Sequence, residues 1–220
     1  MKLNVAPRAT YTLFGTKGSG SAAIEAALTL LGEPFRSVDA ASWEPGPGRD
    51  ELQRVNPLCQ IPTLLLPDGS VITESAAILI HLGLAHPESG LLPADAARRA
   101  QMLRGLVYVA ANCYAAIGVI DYPERWCSDA DEDTRKRIKA GSTARLHYLW
   151  EVFADTFPAQ PFLTGERLGA LDLIAAVVSK WSGSRKHLAA SRPAFSALLA
   201  QIEGDARVAP VFLRHWPPST

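Results

Sequence analysis

The first 86 residues alternate short apolar runs with one apolar helical pattern, as expected of a small mixed α/β unit. Residues 11–14 and 34–39 have the composition of strands, and residues 22–31 between them place apolar side chains on one helical face. Gly32 follows this helix as a stop signal. The chain is therefore predicted to begin with a strand, a loop, a helix and a second strand.

A hairpin and a closing helix are predicted next. Residues 43–56 are interrupted by prolines and glycines and indicate a loop, with a short helix near 50–55. Residues 63–66 and 71–73 flank a Pro-Asp-Gly-Ser turn and predict a β-hairpin. A helix over 75–86 completes this part of the chain.

Strand signals disappear after residues 86–90, which have the composition of a linker. Apolar helical patterns follow over residues 95–117, 131–155, 170–181 and a segment that begins at Arg192-Pro193. The fold class predicted from this pattern is an α/β unit followed by an all-helical domain. We place the two domains at residues 9–86 and 91–220.

Composition and charge narrow the class of protein. Hydrophobic residues make up 48% of the chain and charged residues 20%, which suits a globular protein with a core. Lys and Arg together number 22, as do Asp and Glu, so there is no basic excess for nucleic acid or an anionic membrane. We see no uninterrupted 18-residue apolar run and predict no transmembrane helix.

Cysteine usage and the N-terminal residues indicate the compartment. The three cysteines, Cys59, Cys113 and Cys127, are widely spaced and form neither a metal-binding nor a disulfide pattern, and the histidines have no ligand spacing. Residues 1–8 lack the apolar core of a signal peptide. We therefore expect a cytoplasmic protein without a metal.

Two short segments indicate a pocket for a peptide-like zwitterion. Pro62 opens a predicted strand, and a proline without an N–H belongs at a strand start or an edge. Glu74 and Ser75 stand where the closing helix begins, so an acid and free helix N–H groups are close together. An acid pairs with an ammonium group, and a helix N-terminus attracts a carboxylate. Alternatively, Glu74 and Ser75 are ordinary first-turn residues that complement the helix dipole.

The order and spacing of these segments resemble a cytosolic glutathione S-transferase over essentially the whole chain. The matching segments are the loop Gly18-Ser19-Gly20-Ser21, then Asn56-Pro57, Ile61-Pro62 and Glu74-Ser75, and the run Phe162-Leu163-Thr164-Gly165 leading to Asp172. The resemblance implies a thioredoxin-like domain joined to an all-α domain, with the pocket for a hydrophobic electrophile between them. It also implies a homodimer.

The resemblance assigns a part of glutathione to each binding residue. It implies a cis bond before Pro62 and main-chain contacts from Ile61 to the cysteinyl part. Glu74 would bind the ammonium group of the γ-glutamyl end, and Ser75 would bind its carboxylate. Gln60 would reach the glycyl carboxylate as an uncharged donor.

Activation of the thiol is assigned to the loop before the first helix. A hydroxyl and helix-end N–H groups both favour sulfur as an anion. In theta-, zeta- and beta-like relatives a serine or cysteine of this loop has that role, and we assign it to Ser19. Gly20 stands where beta-like members have cysteine, which disfavours cysteine-type chemistry. Thr16 is a second hydroxyl candidate, Ser21 could instead be a helix N-cap, and Cys59, where the family often has glycine, is interpreted as a loop residue.

The function expected from the resemblance is transfer of glutathione to an electrophilic small molecule or a peroxide, as in detoxification. One alternative is a non-catalytic binding or assembly module that keeps the fold. Another is a specialised glutathione-dependent isomerase, dehalogenase or etherase. Tyr108 and Tyr114 are expected to be core residues, although one of them could face the electrophile pocket. Gly169 replaces the Ser or Thr that usually caps the central helix three residues before Asp172.

Overall fold

The computed structural model of the chain describes residues 10–218. Residues 1–9 and 219–220, on which parts of the predicted domain bounds and the signal-peptide prediction fall, lie outside the described residues. The strands are β1 (Tyr11–Gly15), β2 (Phe35–Asp39), β3 (Thr63–Leu65) and β4 (Val71–Thr73). The helices are α1 (Ser21–Leu31), α2 (Pro47–Val55), α3 (Ser75–Ala85), α4 (Ala96–Tyr108), α5 (Ala115–Asp121), α6 (Glu132–Thr156), α7 (Ala170–Val178), α8 (Ser184–Ser191), α9 (Pro193–Gly204) and α10 (Ala209–His215).

The strands form one mixed sheet with the order β2-β1-β3-β4. β1 and β2 are parallel, as the helical crossover through α1 requires, whereas β3 is antiparallel to both β1 and β4. Gly32 ends α1 in the left-handed conformation with φ +65°, as the sequence predicted. This thioredoxin-like unit, followed by helices, confirms the predicted fold class.

A small apolar cluster lies beneath the sheet end where Pro62 begins β3. Phe14, Val38, Ala40 and Leu52 are buried in it, and the half-buried Ile61 side chain packs against them. Full burial of a side chain as large as Phe14 stabilises the fold by roughly 2–3 kcal/mol. Because the Ile61 side chain is held in this cluster, the position of its main chain is fixed as well.

The chain divides into two compact units, and the C-terminal segment belongs to the first of them. One unit contains residues 10–89 and 206–218, and the other is Gly90–Asp205. The sequence had assigned residues 91–220 to a single helical domain. The difference arises because α10 packs on α1, a long-range contact that no local pattern could indicate.

Two helices were not predicted, and a third begins earlier than expected. α8 buries only Ser184 and Leu188, so its apolar spacing is too sparse to be recognised, and α10 has just seven residues. α2 begins at Pro47, within the residues interpreted as a loop. A proline is well suited to the first helical turn, where its missing N–H would have no partner in any case.

α4 and α5 form one continuous helical run, Ala96–Asp121, because a π-helical segment at Val109–Tyr114 connects them. By length and composition alone, this run of 26 residues could cross a membrane. The sequence analysis had predicted no transmembrane helix. One face of the run packs in the interior of the Gly90–Asp205 unit. The buried side chains on that face include Leu106, Val109, Cys113 and Ile117.

α7 is the central helix of the second unit, and every one of its residues is buried. The Gly169 that precedes it has a steric explanation. A Cβ at this position would lie 2.5 Å from the Thr164 side chain and 2.8 Å from the Leu91 carbonyl oxygen, too close for any other residue without a shift. Glycine therefore fits here without a shift of its neighbours. The Asp172 carboxylate accepts the Gly169 N–H at 3.0 Å and so still bonds back to the start of the helix.

Candidate functional site

The strand register brings the three segments singled out from the sequence to one end of the sheet. Phe14 pairs with Thr63, and Thr63 pairs with Thr73. The next positions along these strands are Gly15, Pro62 and Glu74, which therefore follow one another across the sheet end. Strands are spaced by about 4.8 Å, so this row spans roughly 10 Å, close to the length of an extended tripeptide.

Ser19 and Ser21 form a buried hydroxyl pair beneath the loop that follows β1. Their hydroxyl oxygens lie 2.8 Å apart, and the Ser19 hydroxyl donates to the Thr16 carbonyl oxygen at 2.8 Å. The Ser19 oxygen also accepts the Ser21 N–H at 3.3 Å. The Ser19 proton is thus engaged inside the loop, whereas the Thr16 hydroxyl has no hydrogen-bond partner within residues 10–218.

Gly20, rather than Ser21, is the N-cap of α1. Ser21 is the first helical residue, and its side chain packs on β1, where a Cβ on Gly15 would lie only 2.3 Å from it. The Gly20 N–H makes no hydrogen bond within the described part of the chain. The helix start therefore offers a backbone donor and a positive dipole end to an anion, although Gly20 has no side chain to react.

Ile61 is joined to Pro62 by a cis peptide bond, the geometry that the resemblance implies. Within residues 10–218, neither the N–H nor the carbonyl of Ile61 makes a backbone hydrogen bond. A peptide-like ligand could use both groups, as an added strand does at a sheet edge. The neighbouring Gln60 side chain is exposed, while its carbonyl is engaged by Thr63 and Asn56.

Asn56 fixes this turn through one buried amide group. Its Nδ2 donates to the Gln60 carbonyl at 3.1 Å and to the Thr63 hydroxyl at 2.9 Å, and its Oδ1 accepts the Leu58 N–H at 3.1 Å. Asn56 is 5% exposed, so water cannot easily replace these bonds. The sequence showed Asn56 only as part of the resemblance, and its role follows from the structure.

Replacing Asn56 with alanine should lower the free energy of unfolding by about 2–3 kcal/mol, because buried partners lose their hydrogen bonds. Glutathione affinity should fall as well, since the main chain of Ile61 is then less well fixed. Urea unfolding and calorimetric titration with glutathione measure the two effects. A matched control is Gln53→Ala on the exposed face of α2, which should change neither value. Unchanged unfolding of Asn56→Ala would contradict the assigned role.

Glu74 and Ser75 form the N-terminal end of α3. The first helical bond of α3 runs from the Ile78 N–H to the Glu74 carbonyl, so the N–H groups of residues 75–77 point out of the helix without an intrahelical partner. Ser75 is 8% exposed, and Glu74 is exposed at φ +65°. An acid beside a helix N-terminus fits a group that contains both an ammonium and a carboxylate.

The tyrosine and cysteine residues named in the sequence analysis contribute to the fold in this structure. The Tyr108 hydroxyl donates to the Leu149 carbonyl at 2.9 Å, so this tyrosine ties helices of the second unit together. Burial raises the pKa of the Cys113 thiol to about 12, which makes it a poor nucleophile. Cys59 has φ +50°, a conformation that explains why glycine suits this position. Within residues 10–218 no group of three or more His, Cys, Asp or Glu side chains is placed to hold a metal.

His215 is a further residue at the site that the sequence did not indicate. The Gly18 N–H donates to its Nδ1 at 3.1 Å, although the two residues are 197 positions apart. Its Nε2 lies 2.7 Å from Oε2 of Glu25. The five histidines have no ligand spacing in the sequence, and no local pattern distinguishes this one.

Comparison with known proteins agrees with the fold. A family model described as the glutathione S-transferase N-terminal domain matches residues 21–84. The uncharacterised GST-like protein YncG of Escherichia coli (strain K12) is 34% identical over 170 residues, which are 77% of this chain and 80% of that protein. Glutathione S-transferase GstA of Escherichia coli O157:H7 is 28% identical over 173 residues, 77% of this chain and 81% of that protein.

A solved structure is similar over nearly the full length. The crystal structure of a glutathione transferase homologue from Sulfitobacter, with bound glutathione, has a TM-score of 0.79 at 24% identity, and the match covers 93% of this chain and 97% of that one. The mixed sheet followed by helices defines the thioredoxin-like fold with a helical C-terminal region that glutathione S-transferases have. Together with the similarity to YncG, it shows that the chain belongs to the glutathione S-transferase family.

Proposed function

We propose that the protein is a glutathione transferase that stabilises the glutathione thiolate and directs it at a hydrophobic electrophilic small molecule or a peroxide. The observation that supports this most directly is the row of Gly15, Pro62 and Glu74 at one sheet end. It places an acid, two helix N-termini and an unpaired main-chain segment within reach of one tripeptide.

Each group at the sheet end suits one part of glutathione. The Glu74 carboxylate pairs with the γ-glutamyl ammonium, and the N-terminus of α3 with Ser75 binds the neighbouring carboxylate. The main chain of Ile61 accepts from and donates to the cysteinyl residue, and Gln60 reaches the glycyl carboxylate. The thiol then lies at the start of α1, beside Ser19 and Gly20.

The chemical step requires a thiolate, because the free thiol with a pKa near ~8.5 is mostly protonated at neutral pH. The Gly20 N–H and the positive end of α1 favour the anion. The Ser19 hydroxyl adds a donor when it turns from the Thr16 carbonyl to the sulfur, and Ser21, whose hydroxyl lies 3.3 Å from the same carbonyl, can replace it there. The thiol proton passes to solvent, the sulfur lone pair forms the new bond to carbon, and the leaving group departs with its bonding electrons.

The Ser19 hydroxyl should lower the pKa of bound glutathione, so Ser19→Ala should move the pH–rate profile to higher pH by about 1–2 pKa units. At neutral pH, conjugation of a chloronitrobenzene should fall about 10- to 100-fold, with little change in glutathione affinity. Stopped-flow kinetics measure the conjugation rate, and the ultraviolet absorbance of the thiolate measures the pKa of bound glutathione.

Thr16→Val is the matched comparison, because the Thr16 hydroxyl is the one in this loop without a hydrogen bond in the described residues. A larger alkaline shift for Thr16→Val than for Ser19→Ala would transfer the role to Thr16. Absence of glutathione binding by calorimetry at millimolar concentrations would contradict the transferase proposal as a whole.

A non-catalytic binding or assembly module is the second candidate, and one observation favours it. The Ser19 hydroxyl is already engaged by Thr16 and Ser21, as it would be in a loop that serves only structure. Glutathione binding without turnover toward electrophiles or peroxides would support that candidate. A homodimer and a role in detoxification are predictions from the resemblance, and a cytoplasmic location is a prediction from cysteine usage.

A further inference from the structure

The C-terminal helix α10 contacts the loop proposed to hold the thiol through a single polar side chain. Within the described residues, His215 is the one side chain from outside residues 15–21 that makes a hydrogen bond to loop residues 16–20. The other side-chain hydrogen bonds of the loop join Thr16, Ser19 and Ser21 to each other, and its last carbonyls, of Ser19 and Gly20, accept main-chain N–H groups of α1. This contact therefore ties the middle of the loop, at Gly18, to α10.

The hydrogen-bond partners of His215 define its tautomer. A backbone N–H can only donate, so the Nδ1 that faces Gly18 must be the unprotonated, accepting nitrogen. The ring hydrogen is then on Nε2, which donates to Glu25 Oε2 at 2.7 Å. With both nitrogens engaged and 8% of the residue exposed, the ring has a single orientation.

Glu25 on α1 supports this orientation. Its other oxygen accepts from Arg214 Nε at 3.1 Å, so one carboxylate holds two consecutive residues of α10. Burial alone would raise the pKa of Glu25, but the hydrogen bonds from His215 and Arg214 and the positive charge of Arg214 outweigh it, and the pKa is lowered. The carboxylate is thus available as the acceptor for the Nε2–H at neutral pH.

Gly18 is a suitable point for control of the loop. It has φ +69°, a conformation that residues with a side chain rarely adopt, and a Cβ there would lie 3.8 Å from the indole nitrogen of Trp216. Loss of the bond to its N–H removes the one side-chain hydrogen bond that reaches this turn from outside residues 15–21 of the described chain. Ser19 and Gly20 follow directly, so any movement of Gly18 displaces the groups proposed to face the sulfur.

We propose that His215 is a positioning residue for thiol activation: oriented by Glu25, it accepts the Gly18 N–H and holds Ser19 and Gly20 in the arrangement that stabilises the thiolate. In this proposal α10, which belongs to the first unit, positions the loop of the same unit. This inference rests on the proposed transferase function. It goes beyond it by assigning a role to a residue that does not touch glutathione.

Two substitutions separate the two hydrogen bonds of His215. In His215→Asn, the amide oxygen takes the place of Nδ1 and can accept from Gly18, but the side chain is too short for Glu25. In His215→Gln, the amide nitrogen takes the place of Nε2 and can donate to Glu25, but nothing accepts from Gly18. If His215 only links α10 to α1, its bond to Glu25 matters and His215→Gln should be the more active variant. If His215 positions the loop, its bond to Gly18 matters and His215→Asn should be the more active variant.

We expect His215→Gln to have a kcat about 3- to 10-fold below that of His215→Asn, with similar KM values for glutathione, although His215→Asn should be the less stable variant toward urea. Equal kcat values for the two variants, or a higher kcat for His215→Gln, would overturn the proposal.

Hydrogen exchange of the Gly18 amide tests the same contact without reference to turnover. Measured by NMR on the full chain, exchange should be slow in the unmodified protein and in His215→Asn, and faster in His215→Gln. This readout remains valid if the protein has no transferase activity, so failure of the proposed function and failure of the His215 contact can be distinguished. Equally fast exchange in both variants would refute the contact.

Discussion

Replacing Asp172 with alanine is expected to lower the free energy of unfolding by about 3–5 kcal/mol, the largest stability effect anticipated for a single side chain here. Its carboxylate is fully buried and accepts three backbone N–H groups, from Leu163 at 2.7 Å, Thr164 at 3.1 Å and Gly169 at 3.0 Å. Alanine would leave all three donors without a partner in the interior. Each unpaired buried donor costs about 1–3 kcal/mol, and partial relaxation keeps the total below the sum.

Urea unfolding followed by circular dichroism measures the effect as a lower midpoint. Asp155→Ala is a matched control, because Asp155 pairs with Arg192 at 2.8 Å while 58% of its side chain is exposed. Exposed ion pairs contribute at most about 1 kcal/mol, so the control should remain near the unmodified protein. Similar midpoints for Asp172→Ala and Asp155→Ala would show that the buried carboxylate does not stabilise the start of α7.

Asp172→Asn separates charge from shape. The amide has the size of the carboxylate, but its NH₂ group would face a backbone N–H where the carboxylate accepts one. We therefore expect Asp172→Asn to be destabilised by more than the control, although it fills the same space. Stability equal to that of the unmodified protein would mean that one acceptor oxygen is sufficient.

Local patterns were sufficient to predict most of the elements that form the sheet end. The apolar face of α1, Gly32 after it and the turn between β3 and β4 are each determined by residues close in sequence. The order of these elements also indicated where Pro62 and Glu74 would lie. The sequence alone therefore predicts the thioredoxin-like unit and its candidate binding residues.

The remaining features depend on contacts between residues far apart in the chain. The bond from Gly18 to His215 joins positions 197 apart, and nothing near either residue indicates it. The steric reason for Gly169 lies in the Leu91 carbonyl, which is equally invisible in local sequence. The hydroxyl of Ser19 could be recognised as a candidate, but its engagement by Thr16 follows from the fold of the loop.

Glu74 is expected to have the largest effect on glutathione affinity. If its carboxylate binds the γ-glutamyl ammonium, Glu74→Gln should weaken binding about 10- to 100-fold, since a hydrogen bond to a charged group contributes about 1.5–3 kcal/mol. Calorimetry with glutathione measures the loss. Glu132→Gln, in the exposed first turn of α6, is the matched control and should bind glutathione unchanged.

Cysteinylglycine identifies the part of the ligand that Glu74 recognises, because it lacks the γ-glutamyl group. The unmodified protein should bind glutathione much more tightly than cysteinylglycine, and Glu74→Gln should reduce this preference by the same factor as the loss in glutathione affinity. If the preference is unchanged while both affinities fall, Glu74 acts on another part of the ligand or on the fold.

Glu74→Gly distinguishes the carboxylate from the backbone conformation that presents it. With φ +65° and ψ +112°, Glu74 is in a region that costs a residue with a side chain about 1–3 kcal/mol, and glycine avoids most of that cost. We expect Glu74→Gly to be more stable toward urea than the unmodified protein, yet as poor in glutathione binding as Glu74→Gln. A strained residue whose replacement stabilises the fold and weakens binding serves the ligand rather than stability. If Glu74→Gly instead gained stability and kept full affinity for glutathione, a group other than Glu74 would bind the γ-glutamyl ammonium.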